Sequence, residues 1–313
     1  MDNVNFSYLE DENASGVVIG KTEEGKILLS SGPENVLVLG SSRCGKGINT
    51  VIPTALTWKE SAFFLDYKGE TFEVTAEYRQ EKLGQKIIRI NPLFYDGIHQ
   101  CKEDFDAIIH DLLDPEQKVS CYLVIPIKDA NAAKPIARFF VSSLISALLK
   151  RTSEQKLLLM LDEICQLGEM PGLPLLAAAS ASCGAKICMV SQNLKQLYQV
   201  YKRDSTLYPG LQVVCAFFTA KFVDDKELAS FLSDILGERE IPIYEGARKY
   251  HIETEKNFTL EEIQCMPTDS IIVQPIGMRP LVLKRFQFYS EPYFADKMAA
   301  SYRELQGSKS IAG

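Results

Sequence analysis

The sequence predicts an α/β fold, a doubly wound, mainly parallel β-sheet flanked by helices. Three observations predict it. Short, continuous apolar runs recur along the chain, as strands buried on both faces require. Longer amphipathic stretches separate them, the alternation expected of crossover-connected parallel strands. A glycine-bearing turn then follows directly on the run Val36–Leu39 and leads into one of the amphipathic stretches.

In chain order, the expected strands are Val36–Leu39, Ala62–Leu65, Lys86–Ile90, Cys121–Ile125, Leu157–Leu161, Ile187–Val190 and Val213–Phe217. The expected helices lie between them, at 46–58, 70–82, 132–150, 172–181, 193–200 and 224–236. The last part changes character. Residues 240–252, 270–274 and 281–288 read as strands, 259–265 as a short helix, and 291–305 as an amphipathic helix, together a C-terminal extension of one domain. No internal repeat and no low-complexity tract interrupts the chain.

Composition narrows the class. The 313 residues are 46% hydrophobic, 10% aromatic and 24% charged, which excludes wholesale disorder and collagen-like or coiled-coil architecture. The formal net charge of −7 speaks at first against nucleic acid, which calls for a basic footprint. Its distribution weakens that inference. Residues 1–30 carry −4 and residues 96–118 carry −5, so the remaining body is at +2. The expected organisation is therefore an acidic N-terminal lead-in over 1–30 and a main α/β domain over 31–95 and 119–313. A short acidic connection with a weakly helical DFDAIIHDLL stretch spans 96–118. Eight cysteines without a CxxC pair, several inside apolar runs, fit small buried thiols in a reducing cytoplasm rather than a zinc site. The N-terminus has no apolar signal core, and the longest uncharged stretches are 16 residues, short of a bilayer span.

The sharpest chemistry lies at Gly40-Ser41-Ser42-Arg43-Cys44-Gly45-Lys46-Gly47, a strand running into GxxxxGK and then a helix. Gly40 and Gly45 permit a backbone that wraps amides round a phosphate chain. The helix that follows, through Ile48, aims its N-terminal amides at the same phosphates, and Lys46 reaches the terminal ones. Gly47 stands where this loop ordinarily has the Ser or Thr that binds Mg2+. The ion would then depend on Asp162, water and nucleotide, with Thr50 one turn on as a further candidate.

A second signal is Leu157–Leu161 followed by Asp162-Glu163, an apolar strand delivering two carboxylates at its C-terminal end. Asp162 is expected to orient Mg2+ or its water, and Glu163 to polarise the attacking water. A third is Ile187–Val190 running into Ser191-Gln192, where Gln192 is placed to sense the terminal phosphate or, more plainly, to stand at the start of the next helix. Leu65-Asp66-Tyr67-Lys68-Gly69-Glu70 reads only as a turn into a helix.

These segments together resemble the conjugative coupling proteins of type IV secretion, the TraG/TraD-type P-loop ATPases. The resemblance runs through Gly40–Gly47, Val51–Thr54, Leu65–Glu70, Asn91-Pro92, Leu161–Ile164 with Gly168 and Pro171, Ser191–Asn193 with Gln196, Leu197 and Tyr201, Asp224-Asp225 and Leu236-Gly237. It covers roughly residues 30–290. It implies a RecA-like motor using ATP and Mg2+, assembled as a hexamer at the cytoplasmic face of the bacterial inner membrane. Such a motor couples relaxosome-bound DNA, single- or double-stranded, or protein effectors to the secretion channel. The family's transmembrane anchor has no counterpart here, and its all-α domain, inserted after Asn91-Pro92, is reduced to 96–118. A trimmed motor domain and a natural minimal form both fit. An FtsK/HerA-type DNA pump and a non-hydrolysing adaptor that recruits secretion substrates are the alternatives. The first should lack the Asp66–Glu70 and Asn91-Pro92 segments, and the second does not need Lys46, Asp162 and Glu163 together. Arg203 and Arg239 are candidate arginine fingers, and Lys128, Lys134, Arg138, Lys195, Lys202 and Arg203 read first as solvated surface, with DNA or a neighbouring subunit as the alternative they face.

Overall fold

A computed structural model gives the fold. It describes residues 5–302 apart from 12–13, 95–97, 154–155, 203–204, 218–228, 231, 234–235, 245–249 and 300–301. Seven strands form a parallel block: β4 (Val36–Leu39), β5 (Ala62–Asp66), β6 (Lys86–Ile90), β7 (Val119–Val124), β8 (Leu157–Leu161), β9 (Ala185–Ser191) and β10 (Val213–Phe217). These are the seven strands read from the sequence, each within two residues at either end. The spatial order of the block is β10-β4-β9-β8-β5-β7-β6. Five antiparallel strands extend it beyond β10: β13 (Ser270–Pro275), β14 (Leu281–Lys284), β2 (Val17–Lys21), β3 (Ile27–Ser30) and β1 (Phe6–Tyr8).

The pleat explains the two main cores. Leu37, Leu39, Phe63, Leu65, Leu159 and Leu161 point to one face. Val36, Val38, Ala62, Phe64, Leu158 and Met160 point to the other. The first face is covered by α3 (Ile98–Leu113), α4 (Ala130–Leu149), α5 (Gly172–Ala179) and α6 (Leu194–Tyr201). The second is covered by α1 (Ile52–Thr57) and α2 (Glu70–Glu81). By length and composition Ile127–Leu149 could cross a membrane. Here its Ala133, Ala137, Phe140, Val141, Leu144 and Leu148 are buried in the first core. Arg79 on α2 is fully buried without a carboxylate. Its guanidinium donates to the carbonyls of Ala55, Trp58 (2.7 Å) and Glu60 (3.0 Å) and to Ser120 Oγ (2.5 Å), closing the C-terminal end of α1 onto β7.

Several expectations are redrawn. Residues 1–30 supply three strands of the main sheet, with Val17–Ile19 and Ile27–Ser30 buried, while the acids Glu10, Asp11, Glu23 and Glu24 occupy exposed turns. The 96–118 segment contains the 16-residue α3, which crosses from β6 to its parallel neighbour β7 and buries Phe105, Ile109 and Leu112. The strand expected over 240–252 is two, β11 (Glu238–Tyr244) and β12 (Tyr250–Lys256), paired as a separate antiparallel ribbon. The 259–265 helix is α7 (Leu260–Gln264), opened by a Thr259–Glu262 capping box. No continuous helix covers 291–299, where Pro292–Phe294 makes one 3-10 turn and Phe294 is buried against Phe286 and Phe288. Most of 224–236 lies outside the described residues.

Candidate phosphate-binding cleft

The chain passes from β4 to β5 across the positions of β9 and β8, so a crevice opens at the C-terminal ends of these strands. Ser42–Ile48, Asp66, Lys68, Glu70, Thr71, Asp162 and Glu163 line it, around a cavity of about 290 Å3.

The loop after β4 is shaped by close approach. A Cβ on Gly40 would stand 2.6 Å from Cys44 Sγ and 2.9 Å from Phe217 Cβ. Gly45 takes φ +94, and Arg43 is held at φ +64. Ser41 lies behind the lining residues, and its carbonyl, with that of Gly40, accepts hydrogen bonds from Lys46 Nζ at 3.1 and 2.5 Å. The loop therefore folds back on its own ammonium, which a phosphate would draw away. Arg285, just past β14, buttresses the loop by donating to the Cys44 carbonyl at 2.6 Å. Gly47–Val51 winds as a π-helical turn before α1. A Cβ on Gly47 would meet nothing within 4 Å, so the space a Ser or Thr would fill is open. Thr50 does not take that role: it is buried away from the cleft and accepts from Asn49 Nδ2 at 3.3 Å.

Asp162 and Glu163 follow β8. Burial, with the Glu163 and Asp66 carboxylates beside it, pushes Asp162 up to about 7, against the pull of Lys46 and Lys68. Glu163 holds a left-handed backbone, φ +51, which turns its side chain back over the strand end. Gln192, just past β9, donates from Nε2 to Glu163 Oε1 at 3.1 Å. The helix-start role read as the plainer alternative belongs to its neighbour, since Asn193 Oδ1 caps α6 at Gln196 N, 2.8 Å. The structure thus brings Lys46, Asp162 and Glu163 to one crevice, with Gln192 bonded to Glu163 from outside its lining.

Sequence reasoning gave no role to Asp66, Lys68, Glu70 or Thr71. Leu65 pairs with Leu161, so Asp66 stands in register beside Asp162. A carboxylate ending an apolar strand was the available signal, because every parallel strand delivers its C-terminal residue to this rim. Of the candidate cations, Arg138 donates to the Leu167 carbonyl and lies with Lys134 around Gly168, at the end of the turn that carries Glu163. Arg239 pairs with Glu255 across the β11–β12 ribbon at 3.1 Å. Arg203 lies outside the described residues.

For a divalent cation the fit is specific. Among the described residues no group of three or more His, Cys, Asp or Glu side chains is arranged to hold a metal. Asp162, in the same cleft as the open space at Gly47, would offer one carboxylate, leaving phosphate oxygens and water to complete the set. That is how Mg2+ is ordinarily held.

Comparison with known proteins agrees with this architecture. The family described as Type IV secretory system Conjugative DNA transfer matches residues 5–112 and 101–310. A conjugal transfer protein TraG of Escherichia coli is 39% identical over 99 residues, 30% of this chain and 15% of that protein. Protein VirD4 of Rhizobium rhizogenes is 33% identical over 137 residues, 42% of this chain and 17% of that protein. The matched stretch is therefore a small part of these relatives. The bacterial conjugative coupling protein TrwBdeltaN70 superposes with a TM-score of 0.66 at 12% identity, over 91% of this chain and 93% of the other. TrwB in complex with ADP and Mg2+ gives 0.65 at 12% identity, over 91% and 94%. At these identities the superpositions establish the shared fold, a RecA-like mixed sheet of mostly parallel strands flanked by helices. Because the two family matches together span residues 5–310, the chain belongs to the type IV secretory system conjugative DNA transfer family.

Proposed function

We propose that this chain is the ATP-binding and ATP-hydrolysing motor of a type IV secretion coupling protein. Its work is to drive DNA, protein substrates or both toward a secretion channel. The observation that carries the reading is the contact of Gln192 Nε2 with Oε1 of Glu163, which lines the same cleft as Lys46 and Asp162. A merely structural strand end has no use for this set. Each residue has one task. Lys46 leaves the Gly40 and Ser41 carbonyls for the β- and γ-phosphates. Gly45 and the loop amides wrap the phosphate chain. Asp162 would hold Mg2+ or its water, and the ion, when bound, would supply charge neutralisation. Glu163 accepts the proton of a water whose oxygen bonds to the γ-phosphorus as the bond to the departing ADP oxygen breaks, giving ADP and phosphate. Gln192 holds the Glu163 carboxylate and registers whether the γ-phosphate is present.

The solved TrwB complexes with an ATP analogue and with ADP and Mg2+ support nucleotide and metal as cofactors here. Hexameric self-association, contact with relaxosome or effector proteins and channel components, and work at the cytoplasmic face of the inner membrane belong to the same proposal. The test is ATPase activity with and without single-stranded DNA for wild type and Glu163→Gln. The variant is expected to bind ATP while turnover falls roughly 100-fold to 10,000-fold, the ordinary worth of a general base. Unchanged turnover removes Glu163 from this role. Negligible wild-type activity, with mass measurement showing an assembled ring, favours the adaptor.

A further inference from the structure

The turn between β5 and α2 belongs to the cleft but has no task in the scheme above. It is built round a buried acid. Asp66 is 4% exposed, and its Oδ1 accepts from the amides of Lys68 (3.2 Å) and Gly69 (2.8 Å) while Oδ2 accepts from Phe72 (3.0 Å). Gly69 at φ +76 completes the turn. The result is a fixed loop that leaves Lys68 exposed in the cleft lining near Asp162. The Lys68 ammonium makes no ion pair with another described residue, although it acts on Asp162 electrostatically.

Charge accounting gives this cation a purpose. The lining includes four carboxylates, Asp66, Glu70, Asp162 and Glu163, against Arg43, Lys46 and Lys68. A triphosphate entering beside so many acids needs more positive charge than Lys46 supplies. The terminal phosphate carries the most charge.

We propose that Lys68 is a second phosphate-contacting cation, reaching the terminal phosphate from the wall opposite the Gly40–Gly47 loop. Asp66 is the positioning residue that holds it there. The inference rests on the nucleotide-binding reading and deepens it. It makes the β5–α2 turn, within the same chain, the part that distinguishes a triphosphate from a diphosphate.

The test is affinity rather than activity. ADP and ATPγS are titrated, with Mg2+, into wild type, Lys68→Ala, Lys68→Arg and Lys46→Ala, and the ratio of the two affinities is compared. Lys68→Ala is expected to shift the ratio toward ADP by roughly 10-fold to 100-fold, the worth of one charge-assisted hydrogen bond, with ADP affinity unchanged within about twofold. Lys68→Arg keeps the wild-type ratio. Asp66→Asn shifts it in the same direction, and the double variant Asp66→Asn/Lys68→Ala is no worse than Lys68→Ala. A Lys68→Ala ratio equal to wild type overturns the proposal. Loss of both nucleotides in Lys46→Ala identifies the binding reading as sound in that event, whereas a wild type that binds neither nucleotide fails that reading and this inference with it.

Discussion

Replacing Gln192 by Leu roughly keeps the side-chain size and deletes the amide that donates to Glu163. In the structure that donor is Nε2, 3.1 Å from Glu163 Oε1. Glu163 stands on a left-handed backbone between β8 and a 3-10 turn, so its carboxylate direction depends on what holds the far end. A hydrogen bond to a charged acceptor is worth about 1.5–3 kcal/mol. If the whole of it serves to aim Glu163 at the attacking water, turnover falls roughly 10-fold to 150-fold, at ~1.4 kcal/mol per tenfold. Binding of ADP should not change, since Gln192 is not part of the cleft lining. The fold should hold, because the α6 cap belongs to Asn193 and not to Gln192. Gln192→Glu is the harsher variant. Two carboxylates at 3.1 Å repel by roughly 5 kcal/mol at an effective dielectric constant near 20. Steady-state and single-turnover ATPase measurements on the assembled protein give the comparison. A Gln192→Leu protein that turns over within about twofold of wild type refutes the assignment of Gln192 to the reaction.

Two stability predictions follow from buried cations far from the chemistry. Arg79→Met leaves the Ala55, Trp58 and Glu60 carbonyls and Ser120 Oγ short of a donor. Unmet buried acceptors cost about 1–3 kcal/mol each, so with four of them a loss of at least about 4 kcal/mol is expected in urea unfolding, and a loss under ~1 kcal/mol contradicts the clamp. Lys186 donates to the Gly32 carbonyl at 2.6 Å and to Ser30 Oγ at 3.0 Å, and burial lowers it from 10.5 to about 8. The unfolded chain keeps this proton up to the higher value, so between the two values unfolding takes up a proton and stability rises with pH. Urea midpoints at pH about 8 and about 10 should therefore differ less in Lys186→Met than in wild type, and equal differences would exclude Lys186 as the source.

Much of the site was legible because its parts are short and local. Gly40–Gly47 announces itself by spacing, and Asp162-Glu163 by the apolar run before it. What escaped was whatever depends on neighbours distant in sequence. Residues 1–30 looked like an acidic lead-in because their acids dominate the count, yet Glu10, Asp11, Glu23 and Glu24 only mark the turns. Val17–Ile19 and Ile27–Ser30 are buried through pairing with each other and with β14. The helix α3 was read as a weak connection because its apolar residues Phe105, Ile109 and Leu112 become a core face only once β6 and β7 lie side by side.

The sequence by itself determined the seven parallel strands, the phosphate loop and the identities of Lys46, Asp162, Glu163 and Gln192, since each is written in a few consecutive residues. Only the tertiary structure decided that these residues meet, that Thr50 faces away, and that Asp66 and Lys68 belong with them. The physical reason is strand order. The sheet places β4, β9, β8 and β5 next to one another although their segments stand far apart along the chain. Convergence at the carboxyl ends of parallel strands is a property of that order and not of any local pattern.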